Sequence, residues 1–156
     1  MEERFEMIVM SDSHGNMDAV YGVKAMHTEC STFIHCGDSE VLKSRMEGIV
    51  TVAGNRDWPL EYPLEEILEI GRHRIYITHG HTLRVNATLE LLAEKAASLQ
   101  CDIACFGHTH RYTDTTLNGI RLLNPGSLLR NKDGSPPCYM KLVLDEDDIY
   151  TERKLW

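Results

Sequence analysis

The chain is short of positive charge, of long apolar runs and of paired cysteines, and each shortage removes a class of function. Lys and Arg number 16 against 24 Asp and Glu, a net charge of −8, so the surface as a whole repels polyanions and passive nucleic-acid binding is disfavoured. No stretch approaches the roughly 18 consecutive apolar residues that a membrane-spanning helix needs. The opening Met1-Glu2-Glu3-Arg4-Phe5-Glu6 is acidic and has no apolar segment of secretory type, from which a cytoplasmic location is expected. The five cysteines, Cys30, Cys36, Cys101, Cys105 and Cys138, are odd in number and form no Cys-x-x-Cys pair. They read as reduced, buried small hydrophobes, not as a disulfide or zinc framework. A Gly-x-Ser-x-Gly elbow and a Walker loop are also missing, so acyl transfer and P-loop chemistry have no support.

What is present is ordinary globular material, 156 residues with 42% apolar and 26% charged, the size of one domain spanning residues 1–156. Phe5–Met10, Thr32–Cys36, Gly48–Val52 and Ile103–Phe106 are short apolar runs of strand length. Met17, Val20, Val23 and His27 fall at helical spacing, with Asn16 or Asp18 able to cap the start; a second helical pattern covers Asn86 to Gln100. Glu65–Ile70 and His73–Thr78 alternate about Gly71-Arg72, and Tyr112–Leu117 and Ile120–Leu123 about Asn118-Gly119, both hairpin signals. Tyr139–Leu144 and Ile149–Glu152 form a last pair around the acidic turn Asp145–Asp148. A βαβ-like beginning and a meandering end predict an α/β (α+β) chain, a β-sandwich core flanked by helices.

The chemistry lies where the strands stop. Five strand ends carry Asp12-x-His14, Gly37-Asp38, Gly54-Asn55, His79-Gly80-His81 and Gly107-His108-x-His110. The C-terminal ends of strands on one edge of a sheet are where ligand sites form. Asp12, His14, Asp38, Asn55, His79, His108 and His110 are therefore candidate metal ligands. Seven oxygen and imidazole donors exceed the needs of one ion and suit two that share a carboxylate, with Asp38 the natural bridge. Without thiolates, such a set favours Mn, Fe or Zn over Mg or Ca. Burying these polar groups with no ion would strand them unpaired.

These motifs, in this order from Met7 to about Arg130, resemble the calcineurin-like metallophosphoesterase superfamily, in particular its small YfcE-like bacterial and archaeal phosphodiesterase branch. Asn124-Pro125-Gly126-Ser127 is similar to a further segment of small members. The resemblance implies two packed mixed β-sheets flanked by helices. It also implies two divalent ions, Mn foremost with Fe, Zn or Ni as alternatives. Asp12, His14, Asp38 and His110 would hold the first ion, and Asp38, Asn55, His79 and His108 the second. By the same resemblance a metal-bridging hydroxide attacks phosphorus in a small phosphate ester, a diester before a monoester, and the chain associates as a homodimer or homotetramer.

One position departs. Many relatives place a histidine after the metal-binding asparagine; here it is Arg56, in Gly54-Asn55-Arg56-Asp57. Arginine can clamp a phosphate oxygen but cannot act as an acid. The catalytic candidates are thus Asn55, Arg56, Asp57 (expected to orient Arg56 by an ion pair, or to cap a helix) and His81 (a phosphate contact or a supporting residue). His35, inside a strand, reads as a satisfied core or supporting histidine, and His27 and His73 as surface residues. Two other readings compete: a protein-interaction scaffold, since the eukaryotic retromer complex contains a subunit of this fold, and a nuclease, disfavoured by the −8 charge.

Overall fold

The computed structural model describes residues 3–57 and 60–156. Along the chain run β1 (Phe5–Met10), α1 (Met17–Met26), β2 (Thr32–His35), β3 (Val50–Thr51), β4 (Glu65–Ile70) and β5 (His73–Thr78). They are followed by α2 (Glu90–Ser98), β6 (Ile103–Cys105), β7 (Tyr112–Leu117), β8 (Ile120–Pro125), β9 (Cys138–Leu144) and β10 (Ile149–Leu155). The strands form two five-stranded sheets, ordered β10-β9-β1-β2-β3 and β4-β5-β6-β8-β7. Each sheet is mixed: β1-β2-β3 and β5-β6-β8 are parallel, and the remaining pairs are antiparallel.

Alternation along β1 shows how the layers are built. Met7 and Val9 join Ile34, Ile75, Ile77, Ile103, Leu123 and Leu142 in the apolar layer between the sheets. Ile8 and Met10 point the other way and pack with Met17, Val20 and Val23 of α1. Both faces of β1 are covered, so it reads as a continuous apolar run, as buried parallel strands do. On the opposite outer face Leu92, Ala93 and Ala96 of α2 pack on Tyr76, Ala104 and Leu122. The result is helix, sheet, sheet, helix. No described helix is long and apolar enough to cross a membrane. All five cysteines are free and buried.

Asn16 caps α1, its side chain accepting from Ala19 N–H at 3.2 Å. Asn118 and Gly119, both at positive φ (52° and 79°), close the β7-β8 hairpin as that dipeptide predicts. Four expectations need correction. The second helix begins at Glu90, not Asn86, because residues 84–88 turn back on the Arg84 carbonyl and Thr88 Oγ1 accepts from Glu90 N–H. The third strand shrinks to Val50–Thr51, since Gly48 is left-handed (φ 78°) and Ile49 N–H bonds to Met46. β10 runs on to Leu155, its exposed charged side chains being compatible with an edge strand. Finally, His27 and His73 are buried, not surface residues. His27 is shared between Tyr139 Oη (2.6 Å) and Glu29 (3.0 Å), and His73 between Asp102 (2.7 Å) and the Asp145 carbonyl (2.8 Å).

The parallel strands matter for function. The loops that follow β1, β2, β3, β5 and β6 leave from C-terminal strand ends and are tied to one another. Asp12 N–H bonds to Gly37 O (3.0 Å), His14 N–H to Asp38 O (2.9 Å) and Gly107 N–H to His79 O (3.0 Å). One edge of the sandwich thus carries every candidate ligand.

Candidate metal centre

All seven proposed donors meet in one network. In a first group His14 Nε2 lies 3.2 Å from His110 Nε2, and His110 Nε2 lies 3.3 Å from Asp12 Oδ1. In a second, Asn55 Oδ1 is 3.1 Å from His79 Nε2 and 3.2 Å from His108 Nδ1. His79 Nε2 is in turn 3.3 Å from His108 Nδ1 and 3.2 Å from Asp38 Oδ2. Donors about 2.1 Å from a shared ion stand about 3.0 Å apart at right angles and about 3.4 Å apart at the tetrahedral angle. The observed spacings fall in that interval. The atom common to the two groups is Asp12 Oδ1, with His14 Nε2 at 3.9 Å and His79 Nε2 at 3.8 Å. Among the described residues, three trios of potential donors lie mutually close: Asp12, His14 and His110, and Asp12, Asp38 and His79, both in this centre, and His27, Glu29 and Cys30. Asp12 belongs to both trios of this centre, and Asp38 joins the second through His79.

Supporting contacts fix which ring nitrogen faces inward. His79 Nδ1 donates to the Cys36 carbonyl (2.7 Å), His110 Nδ1 to the Arg130 carbonyl (2.9 Å) and His14 Nδ1 to Glu40 (2.9 Å). Each acceptor holds the proton on Nδ1 and leaves an Nε2 lone pair directed at the centre. Asp12 is arranged alike: Oδ2 accepts from the Ser11 hydroxyl (2.6 Å) and His108 N–H (3.1 Å), while Oδ1 is buried with no hydrogen bond. An orphaned buried carboxylate oxygen ringed by imidazole lone pairs is the donor chemistry of a divalent cation site.

The titration shifts follow from this crowding. Burial pushes Asp12 up, but contact with His110 and the charge of His79 bring it below the ordinary carboxylate range. Asp38 behaves the same way, burial being outweighed by contact with His79. His79 is held up against burial by Asp38 and Asp12, and His110 is raised by its contact with Asp12. His108 and His81 are lowered by burial and by the neighbouring His79. His81 stacks obliquely 5.5 Å from His79 and 6.2 Å from His108, and its buried Nδ1 has no hydrogen bond.

The backbone here is strained. Of nine described non-glycine residues at positive φ, six are Asp12, His14, Asp38, Glu40, His108 and His110. Such strain collects at functional sites, where neighbours over-determine it. Two glycines make room: a Cβ on Gly54 would lie 2.1 Å from Asp38 Oδ1, and one on Gly107 would lie 2.1 Å from Ser11 Oγ and 2.6 Å from Asp12 Oδ2.

Asp57 corrects its expected role. Among the described residues it makes no ion pair with Arg56 and caps no helix. Fully buried, it accepts backbone N–H groups from Asp38 (2.7 Å), Gly54 (2.7 Å) and Glu40 (2.8 Å), clamping two ligand loops together. Arg56 turns to Glu40 instead, with Nε 3.5 Å from Oε1 and its side chain 65% exposed, while its N–H donates to Asp38 Oδ1 (2.8 Å). His35, as expected, is satisfied in the core. It accepts from Gly37 N–H (3.1 Å) and donates to Ser13 Oγ (2.8 Å), with burial lowering it to about 4. Sequence reasoning missed Glu40, although it sits two residues after Asp38. The bracing role of Asn124 and Ser127 was missed as well. Asn124 donates to Gly107 O and Thr109 Oγ1, and Ser127 Oγ donates to the Asp12 carbonyl at 2.8 Å.

The sequence profile of the calcineurin-like phosphoesterase superfamily domain matches residues 5–147. The chain belongs to that superfamily. It is 34% identical over 145 residues to a probable metallophosphoesterase, YsnB, of Bacillus subtilis, covering 90% of this chain and 85% of the relative. A crystal structure from Streptococcus pneumoniae, described as a predicted phosphoesterase, superposes with a TM-score of 0.92 at 29% identity, over 98% of this chain and 90% of that one. A structure described as a novel archaeal phosphodiesterase shares the fold at TM-score 0.70 and 20% identity, over 96% of this chain and 100% of that one.

Proposed function

We propose that this phosphoesterase-family protein is a hydrolase of small phosphodiesters that works with two divalent cations. Asp12, His14, Asp38 and His110 would hold one, and Asp38, shared, with Asn55, His79 and His108 the other. The observation that carries the reading is Asp12 Oδ1, buried and unbonded among three imidazole nitrogens at 3.3 to 3.9 Å. Membership of the superfamily supports it. When bound, such a cation pair supplies an activated water and neutralises charge on the non-bridging phosphate oxygens; Mn fits the mixed imidazole and carboxylate donors.

The chain's own residues do the rest. Glu40, Cys36 O and Arg130 O keep three imidazoles in the tautomer that offers Nε2 inward. The Arg56 guanidinium, exposed beside the centre, binds a phosphate oxygen and stabilises negative charge as it builds up on phosphorus. It cannot protonate a leaving group, so esters whose leaving alkoxide or phenoxide departs unaided turn over best. His81 lies next to His79 and His108, where a neutral imidazole can donate a hydrogen bond to bound phosphate.

The test is hydrolysis of bis-p-nitrophenyl phosphate and p-nitrophenyl phosphate with and without Mn²⁺, for wild type and Asp38→Ala. Mn-dependent diester cleavage that collapses in the variant is expected. Equal rates in both proteins would favour the scaffold reading, and salt-sensitive cleavage of single-stranded nucleic acid in place of small diesters would favour a nuclease.

A further inference from the structure

Glu40 sits at the junction of two parts of the centre that the motifs treat separately. One carboxylate oxygen, Oε2, accepts from His14 Nδ1 at 2.9 Å. The other, Oε1, faces Arg56 Nε at 3.5 Å. The backbone that delivers this side chain is itself pinned: Glu40 N–H donates to Asp57 Oδ1 at 2.8 Å, and the preceding Ser39 carbonyl accepts from Gly15 N–H at 2.8 Å. Glu40 also stands at φ 59°, where a glycine would be unstrained. A non-glycine residue kept in that conformation, with both oxygens engaged on functional groups, points to a use for the side chain and not for the fold.

From this geometry we propose that Glu40 is a positioning residue that couples the His14 metal ligand to the phosphate-facing Arg56; the proposal rests on the two-cation reading above. Through Oε2 it fixes the His14 proton on Nδ1 and so turns Nε2 toward Asp12 and His110. Through Oε1 it holds a guanidinium that would otherwise range freely through solvent. A single carboxylate thus orients both a cation ligand and the cationic group that meets the ester. Gln in its place keeps the shape but offers one acceptor oxygen, and it cannot serve both partners.

Mn²⁺ titration calorimetry on wild type, Glu40→Gln, Glu40→Gly and Arg56→Ala separates the possibilities, with thermal unfolding in EDTA as the folding control. Glu40→Gly suits the local backbone, so it should unfold in EDTA at or above the wild-type temperature while still losing cation affinity. Both Glu40 variants are expected to weaken one Mn²⁺ site about 10- to 100-fold, whereas Arg56→Ala leaves it within about twofold. In diester kinetics at Mn²⁺ concentrations that saturate every variant, Glu40→Gln should raise KM, and adding it to Arg56→Ala should raise KM no further, because its remaining effect on substrate passes through Arg56. Wild-type Mn²⁺ affinity in both Glu40 variants, or a KM penalty that adds in full to that of Arg56→Ala, would overturn the assignment while leaving the two-cation reading intact. Failure of the wild type to bind Mn²⁺ at all would overturn both.

Discussion

Replacing Asp57 by Asn probes whether the centre is assembled by its ligands or by what lies beneath them. Asp57 Oδ2 accepts from Asp38 N–H and Gly54 N–H, each at 2.7 Å, and Oδ1 from Glu40 N–H at 2.8 Å. Asn can present one oxygen where Oδ2 stands, keeping two of these bonds in weaker, neutral form. Its NH2 group then faces the Glu40 N–H, donor against donor. A hydrogen bond to a charged group is worth about 1.5–3 kcal/mol and a neutral one about 1 kcal/mol. Losing one and weakening two therefore costs about 2.5–7 kcal/mol. For a domain of this size each kcal/mol lowers Tm by about 2–4 °C, which makes the expected fall about 5–28 °C in EDTA. Cation binding should weaken in parallel, because Asp38 and Asn55 belong to the clamped loops. Differential scanning calorimetry with and without Mn²⁺ measures both effects. A Tm within about 2 °C of wild type, with cation stoichiometry unchanged, would show that the loops hold themselves and that the clamp is incidental.

Three further outcomes follow from the same packing. Gly107→Ala drives a Cβ to within 2.1 Å of Ser11 Oγ and 2.6 Å of Asp12 Oδ2; it should cost about 1–3 kcal/mol and displace the Asp12 carboxylate, read as lost Mn²⁺ affinity by calorimetry. Ser127→Ala removes the hydroxyl that donates to the Asp12 carbonyl and accepts from Leu129 and Arg130 N–H. Leaving the buried Asp12 carbonyl without its donor, and two part-buried N–H groups without their acceptor, should lower stability by about 1–3 kcal/mol in urea unfolding, with diester KM little changed. The third outcome concerns pH. His35 is lowered by burial from 6.5 to about 4, so below pH 6.5 the unfolded chain takes up a proton that the folded one refuses. Its contribution falls as pH drops from 6.5 toward 4, by about 2 kcal/mol at pH 5. In EDTA the Tm of wild type should therefore drop more steeply between pH 7.5 and 5 than that of His35→Gln, and parallel slopes would contradict this.

The seven donors were legible because each lies in a short motif at the end of an apolar run, and run, glycine and ligand are all local features. The burial of His27 and His73 was not legible: their partners Tyr139 and Asp145 are 112 and 72 residues away, so nothing in the flanking sequence distinguishes them from surface histidines. Asp57 misled for a related reason. Beside Arg56 it looked like half of an ion pair, yet three backbone N–H groups outcompete one exposed guanidinium for a buried carboxylate.

Composition, periodicity and motif order thus determined the class of fold and the types of candidate donor gathered at one edge, since each follows from side-chain identity and near-neighbour spacing. Folding alone decided which imidazole nitrogen faces inward, which carboxylate oxygen is left unbonded, and that Glu40 reaches both His14 and Arg56. Those outcomes depend on carbonyls and N–H groups brought from distant strand ends, and a hydrogen bond is specific to an angle and a distance that only the assembled sheets provide.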